Sequence, residues 1–275
     1  MKQRIITGII VLLIMIPIVL FAPTPVLPIA IAIGSVIAMF EIMRCIGLHR
    51  AYTFAVPLYA LAAGLPFLVR YAAKPLAQYG VVLTIVILFY FLTIAVFSRG
   101  KYNLSGVCTL FAISFYILMG FNSIIIMHDS VQGGSVLYLA IFLSAWITDV
   151  FAYFCGMLFG KGGKHKLIPD VSPKKTVEGS IGGMVFCVIG MILFGLACNW
   201  FTEYDSKIII FAIGGLLASV VSQIGDLLMS YVKRHYGIKD FSQLFPGHGG
   251  VLDRFDSILA VSIAMMCLTI FVDFF

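Results

Sequence analysis

The sequence predicts an all-α, polytopic membrane protein of about nine transmembrane helices, and three observations carry that expectation. Of the 275 residues, 61% are hydrophobic and only 11% charged, against roughly 45–50% and about 25% in a soluble domain. Mean hydropathy is +1.09. The apolar residues fall in long continuous runs, not in alternation, which excludes a β-barrel. The same composition excludes a soluble globular enzyme, a disordered chain, a coiled coil and a collagen-like protein.

A spanning helix needs about 20 mainly apolar residues. The first run, 5–21, follows Met1-Lys2-Gln3-Arg4 and so resembles a signal peptide. No small-residue cleavage site follows Phe21, and more apolar sequence comes at once, so it reads as a retained span. Further runs occupy 26–42, 54–69, 79–97, 106–127, 136–159, 181–201, 208–232 and 255–272. The first five spans, in residues 1–130, are joined by short loops with little chemistry. The last four, in 131–275, form the expected catalytic region and carry two long polar loops, 160–180 and 233–254.

Nine spans put the two ends of the sequence on opposite faces. With the N-terminus cytoplasmic, all but Arg70, Lys74 and Lys207 of the 18 Lys and Arg residues fall in cytoplasmic segments. Basic loops stay inside, so the sequence predicts N-terminus in and C-terminus out. The formal charge of +6 is therefore loop bias, and no nucleic-acid partner is expected. The six cysteines (Cys45, Cys108, Cys155, Cys187, Cys198, Cys267) are scattered without a CxxC pair. They read as small apolar residues, with neither a disulfide framework nor a zinc site.

Ionisable groups inside spans cost about 2.5–3.5 kcal/mol each on insertion scales and mark function. Asp149 falls in the sixth span and Asp226 in the eighth, while Asp253 and Asp256 open the ninth, three residues apart on one helix face. Asp226 precedes Lys233 by seven residues, about 10 Å along a helix. Ser219, Ser222, Asp226, Ser230 and Lys233 share one face of the eighth span; Trp146, Asp149, Tyr153, Gly156 and Gly160 share one face of the sixth. Interhelical bonding and close packing account for the serines and glycines. The aspartates are read instead as metal or substrate ligands, with structural ion pairing as the alternative. Carboxylates at one end of a bundle suit Mg²⁺, which binds through one or two carboxylates plus substrate phosphates; a second cation stays open.

Each polar loop contributes candidates. Ser172-Pro173-Lys174-Lys175-Thr176 predicts a helix start, with Ser172 as N-cap and Pro173 in the first turn. Lysines in a first turn oppose the helix dipole, so Lys174 and Lys175 point either to a bound anion or to a plain basic loop. Gly160-Lys161-Gly162-Gly163-Lys164 lacks the Gly-Lys-Ser/Thr ending of a phosphate-binding P-loop. The second loop carries Lys233, Arg234, Lys239 and Arg254. In its turn, Gly249 and Gly250 let backbone approach a ligand, and His248 beside them is a candidate phosphate contact.

From Ser230 to Asp256 the sequence resembles the phosphatidate cytidylyltransferases, also called CDP-diglyceride synthases. Their pattern, S-x-(apolar)-K-R-x4-K-D followed by H-G-G-(apolar)-x-D-R-(apolar)-D, is present at every fixed position. The segment 146–183, with Asp149, Tyr153, Ser-Pro-Lys-Lys-Thr and Glu178-Gly179, is also similar. The resemblance implies a Mg²⁺-dependent reaction of CTP with phosphatidic acid, giving CDP-diacylglycerol and pyrophosphate, in a multi-pass protein of the bacterial cell (inner) membrane. The candidate catalytic set is then Asp226, Asp253, Asp256 and Lys175, with Asp226, Asp253 and Asp149 toward metal. Ser172, Lys174, Lys175, Thr176, Lys233, Arg234, Lys239, His248, Gly249, Gly250 and Arg254 form the expected substrate-binding set. A CTP-dependent lipid-alcohol kinase is the rival reading. A secondary transporter, which predicts inverted repeats, is a distant one. Oligomeric state stays open, a homodimer among the alternatives.

Overall fold

Apolar runs become helices because lipid offers no partner for a backbone N–H or C=O, so each span must satisfy its own. The computed structural model describes residues 13, 15–160, 165–247 and 249–275. Among these, eight helices are long and apolar enough to cross a membrane. They are α1 (Val26–Ile46), α2 (Tyr52–Tyr71), α3 (Ala73–Phe97), α4 (Leu104–Ser130), α6 (Leu139–Phe159, preceded by the short α5, Gly134–Leu137), α7 (Val177–Phe201), α8 (Ile208–His235) and α9 (Leu252–Phe271). The expected first span lies mostly outside the described residues, although residues 15–20 are helical.

The chain divides into two compact units. The first comprises residues up to 125 together with 240–253. In it α1 packs on α2 and α2 on α3, around an aromatic chain in which Phe54 meets Phe91 at 5.0 Å and Tyr102 at 5.2 Å between ring centroids. Such tilted and edge-on pairs add to the area they bury.

The second unit comprises 126–239 and 254–275. Its centre is α6, α7 and α8, each touching the other two. Close approach of α6 and α7 requires glycine. A side chain at Gly179 would strike the Ala152 carbonyl, and one at Gly183 would come within 2.9 Å of the Thr148 carbonyl oxygen. Small residues let membrane helices meet backbone to backbone.

One local expectation is overturned. Ser172 is not a helix cap: Ser172–Thr176 is strand β2, antiparallel to β1 (Lys166–Ile168), with Lys166 opposite Thr176 and Ile168 opposite Ser172. The helix starts at Val177, capped by Thr176, whose hydroxyl accepts from Gly179 N at 3.1 Å. Pro173 lacks an N–H and fits the edge of a two-stranded ribbon as well as a first helical turn. The first turn holds Glu178 instead of lysines, which suits the positive end of the helix dipole. His165 pins the hairpin to α7, Nδ1 to Glu178 Oε1 at 2.6 Å.

Arg70 donates to the carbonyls of Ala22, Pro23 and Thr24 at 2.9, 2.7 and 2.9 Å, joining two segments of the expected outer face. In the second unit Lys207 N donates to Phe274 O at 2.8 Å and Phe275 covers Gly133, again among segments expected on the outer face.

Candidate active site

In the second unit, a cleft of about 630 Å³ opens among α6, α7, α8 and the hairpin, well within the roughly 300–1,000 Å³ of small-ligand sites. Helical spacing puts Asp149, Tyr153 and Gly156 of α6 along one wall, and Gln223 and Asp226 of α8 along another. β2 supplies Lys174, Lys175 and Thr176, and α7 adds Gly179 and Ser180. Because Thr176 caps α7, the hairpin lysines are held at the mouth of the helix pair.

The acids and bases in and around this cleft are matched. Lys175 Nζ lies 2.6 Å from Asp226 Oδ2, both side chains about a quarter exposed. Asp226 Oδ1 accepts from Ser230 Oγ at 3.2 Å, and Gln223 Nε2 donates to the Ser180 carbonyl at 3.3 Å. Asp149 is held by the Ser257 hydroxyl and lies within the fields of Asp226, Lys175 and Arg254. Asp256 accepts from Ser257 N at 2.8 Å and lies within the fields of Asp226, Lys233 and Asp149. Three carboxylates therefore face Lys175, Lys233 and Arg254. Such a set has the chemistry to take a polyphosphate through its bases and a hard cation through its acids.

Of the sequence candidates, the second unit brings together Asp149, Lys174, Lys175, Thr176 and Asp226, with Lys233, Arg254 and Asp256 coupled to them. Ser172, Arg234 and Lys239 do not line the cleft; Arg234 instead donates to the Ile238 carbonyl at 3.1 Å. In the first unit, Asp253 Oδ2 accepts from Phe241 N at 2.8 Å and Gly250 N at 2.9 Å. Gly250 packs against the Glu41 carboxylate of the chain itself, and Gly249 sits at φ +84°. His248 and the 161–164 segment lie outside the described residues.

Among the described residues no three His, Cys, Asp or Glu side chains form a ready-made metal cluster. Mg²⁺ does not demand one, since it keeps waters and takes substrate oxygens alongside one or two carboxylates. Asp149 and Asp226, both opening on the cleft, fit that pattern.

Sequence reasoning missed Gln223, Ser257 and Glu41. Gln223 stands one turn before Asp226, and Ser257 follows Asp256 directly, so each could have been found as a neighbour of an intramembrane acid. Glu41 is the single acid before Asp129, a signal in its own right.

A helical membrane bundle with a cleft of paired carboxylates and lysines at its polar end defines a class: a polytopic protein equipped for phosphate chemistry beside lipid. The sequence matches the cytidylyltransferase family over residues 2–272. It is 35% identical over 272 residues to the phosphatidate cytidylyltransferase of Bacillus subtilis (strain 168), covering 95% of this chain and 94% of that one. Identity to the enzyme of the same name from Staphylococcus haemolyticus is 32%, and to that from Staphylococcus aureus (strain COL) 31%, in each case over 95% of this chain and 96% of the other. The chain belongs to the cytidylyltransferase family. The likeness thus extends through the first five spans, beyond the C-terminal half where the motifs stand.

Proposed function

We propose that the protein is a nucleotidyltransferase of phospholipid synthesis, joining the cytidylyl group of CTP to phosphatidate with release of pyrophosphate. The observation that carries this reading is the Lys175–Asp226 pair, at 2.6 Å, in a cleft walled by membrane helices. There a lipid phosphate and a nucleotide triphosphate could be held side by side. We assign the cleft to the cytoplasmic face, because the 160–180 and 233–254 segments carry the basic excess that stays inside.

In the proposed reaction, a phosphatidate oxygen attacks the α-phosphorus of CTP. The new O–Pα bond forms as the bond to the β-phosphate bridging oxygen breaks, and pyrophosphate departs with that electron pair. The attacking phosphate is already ionised, so no enzyme nucleophile is required; positioning and charge neutralisation supply the rate. Lys174 and Lys175 offer their ammonium groups to the triphosphate, with Asp226 orienting Lys175. Lys233 and Arg254 neutralise further phosphate charge, and Asp256 orients Lys233. The 241–252 loop, with His248, Gly249 and Gly250, is assigned to substrate phosphate. A Mg²⁺ ion held by Asp226 and Asp149 would withdraw charge from the phosphates; Asp253 is in the first place the anchor of its loop.

The test is a purified, lipid-reconstituted preparation given CTP and phosphatidate. Formation of CDP-diacylglycerol with equimolar pyrophosphate is expected. Release of CDP with a phosphorylated lipid alcohol would instead establish γ-phosphoryl transfer.

A further inference from the structure

Glu41 is a carboxylate inside membrane helix α1, and it is 1% exposed. Its bonding partners come from far along the chain. Oε1 accepts from Ser242 Oγ at 2.6 Å and from Val251 N at 3.0 Å, and Oε2 accepts from Leu252 N at 2.8 Å. The same loop is tied from within, where Asp253 Oδ2 accepts from Phe241 N and Gly250 N. Phe245 and Gly249 exchange two backbone bonds, at 2.9 and 3.1 Å. Gly250 leaves no room for a Cβ, because the Glu41 carboxylate occupies that space.

All three groups facing Glu41 are donors, so an acceptor-only carboxylate matches them and an amide of equal shape does not. A glutamine would set its NH₂ against the N–H of Leu252 in one orientation and that of Val251 in the other. An acid in a span is costly, and simple helix capping needs only a serine or asparagine. What Glu41 adds is simultaneous hold on both ends of one loop, the loop that carries the glycine turn.

We infer that Glu41 is a positioning residue for substrate binding: through Ser242, Val251 and Leu252 it fixes the 241–252 loop in the form that receives substrate phosphate. This rests on the assignment of that loop to phosphate contact made above.

The experiment compares wild type, Glu41→Gln and Ser242→Ala in lipid nanodiscs, by steady-state kinetics and by hydrogen exchange of loop peptides. Glu41→Gln is expected to raise the KM for the substrate whose phosphate the loop receives, CTP or phosphatidate, about tenfold or more, the loss of a charged hydrogen-bond set, with kcat within threefold. Exchange should quicken in 241–252 and not in α6–α8. Ser242→Ala should raise the same KM about two- to threefold. A Glu41→Gln protein with wild-type KM for both CTP and phosphatidate overturns the inference, as does one whose kcat alone falls while all helices exchange faster. Should Glu41→Gln not fold, Ser242→Ala decides: a raised KM supports the inference and an unchanged one overturns it. Failure of the wild type to make CDP-diacylglycerol overturns the activity reading instead.

Discussion

At the scale of single residues, the Lys175–Asp226 pair sets the sharpest expectations. Asp226→Asn should lower kcat/KM by about 10²-fold or more, the effect of removing a preorganised electrostatic group, and Lys175→Met should do the same. Because the two side chains touch, their losses should not add. The double variant, measured by product formation, should be little worse than either single one. Asp226 and Lys175 were legible as candidates because an acid in an apolar run and lysines beside a membrane both break a pattern. Their pairing was not legible, since it depends on how β2 leads into α7. Glu41 escaped for a related reason. Its partners stand 201 to 211 residues away, and no local spacing announces them.

At the scale of elements, spans were readable because twenty apolar residues permit little else. α4 and α8 differ from expectation only in running a few residues further at their ends, to Ser130 and His235. The hairpin was not readable. Ser172 and Thr176 are both residue types that cap helices; the sequence reading takes the first, and the pairing of Lys166 with Thr176 selects the second. Thr176→Ala should therefore destabilise the protein by about 1 kcal/mol, read as a lower thermal midpoint in detergent, while Ser172→Ala should leave that midpoint unchanged. Gly179→Ala should be harsher, about 1–3 kcal/mol, because the added methyl meets the Ala152 backbone rather than a side chain that could turn away.

At the scale of the whole molecule, the sidedness of the loops is testable as one pattern. In a cysteine-free background, a thiol placed at Asp170, in the turn of the hairpin, should react with an impermeant maleimide only in inverted vesicles. One placed at Glu203 should react only in right-side-out preparations. The reverse result would put the cleft on the outer face. Chelation by EDTA is expected to stop turnover, and added Mg²⁺ to restore it; a rate unaffected by chelation would remove the divalent ion from the scheme.

Thr176 is at once the last residue of β2 and the cap of α7. The ammonium groups assigned above to the nucleotide therefore hang directly from the end of a helix of 25 residues. A helix that long tilts to suit the hydrocarbon thickness around it, and any tilt would swing Lys174 and Lys175 across the cleft. Turnover should therefore pass through an optimum as the acyl chains of the host lipid are lengthened, so that an enzyme supplying membrane precursors would be tuned by the thickness of the membrane it helps to build.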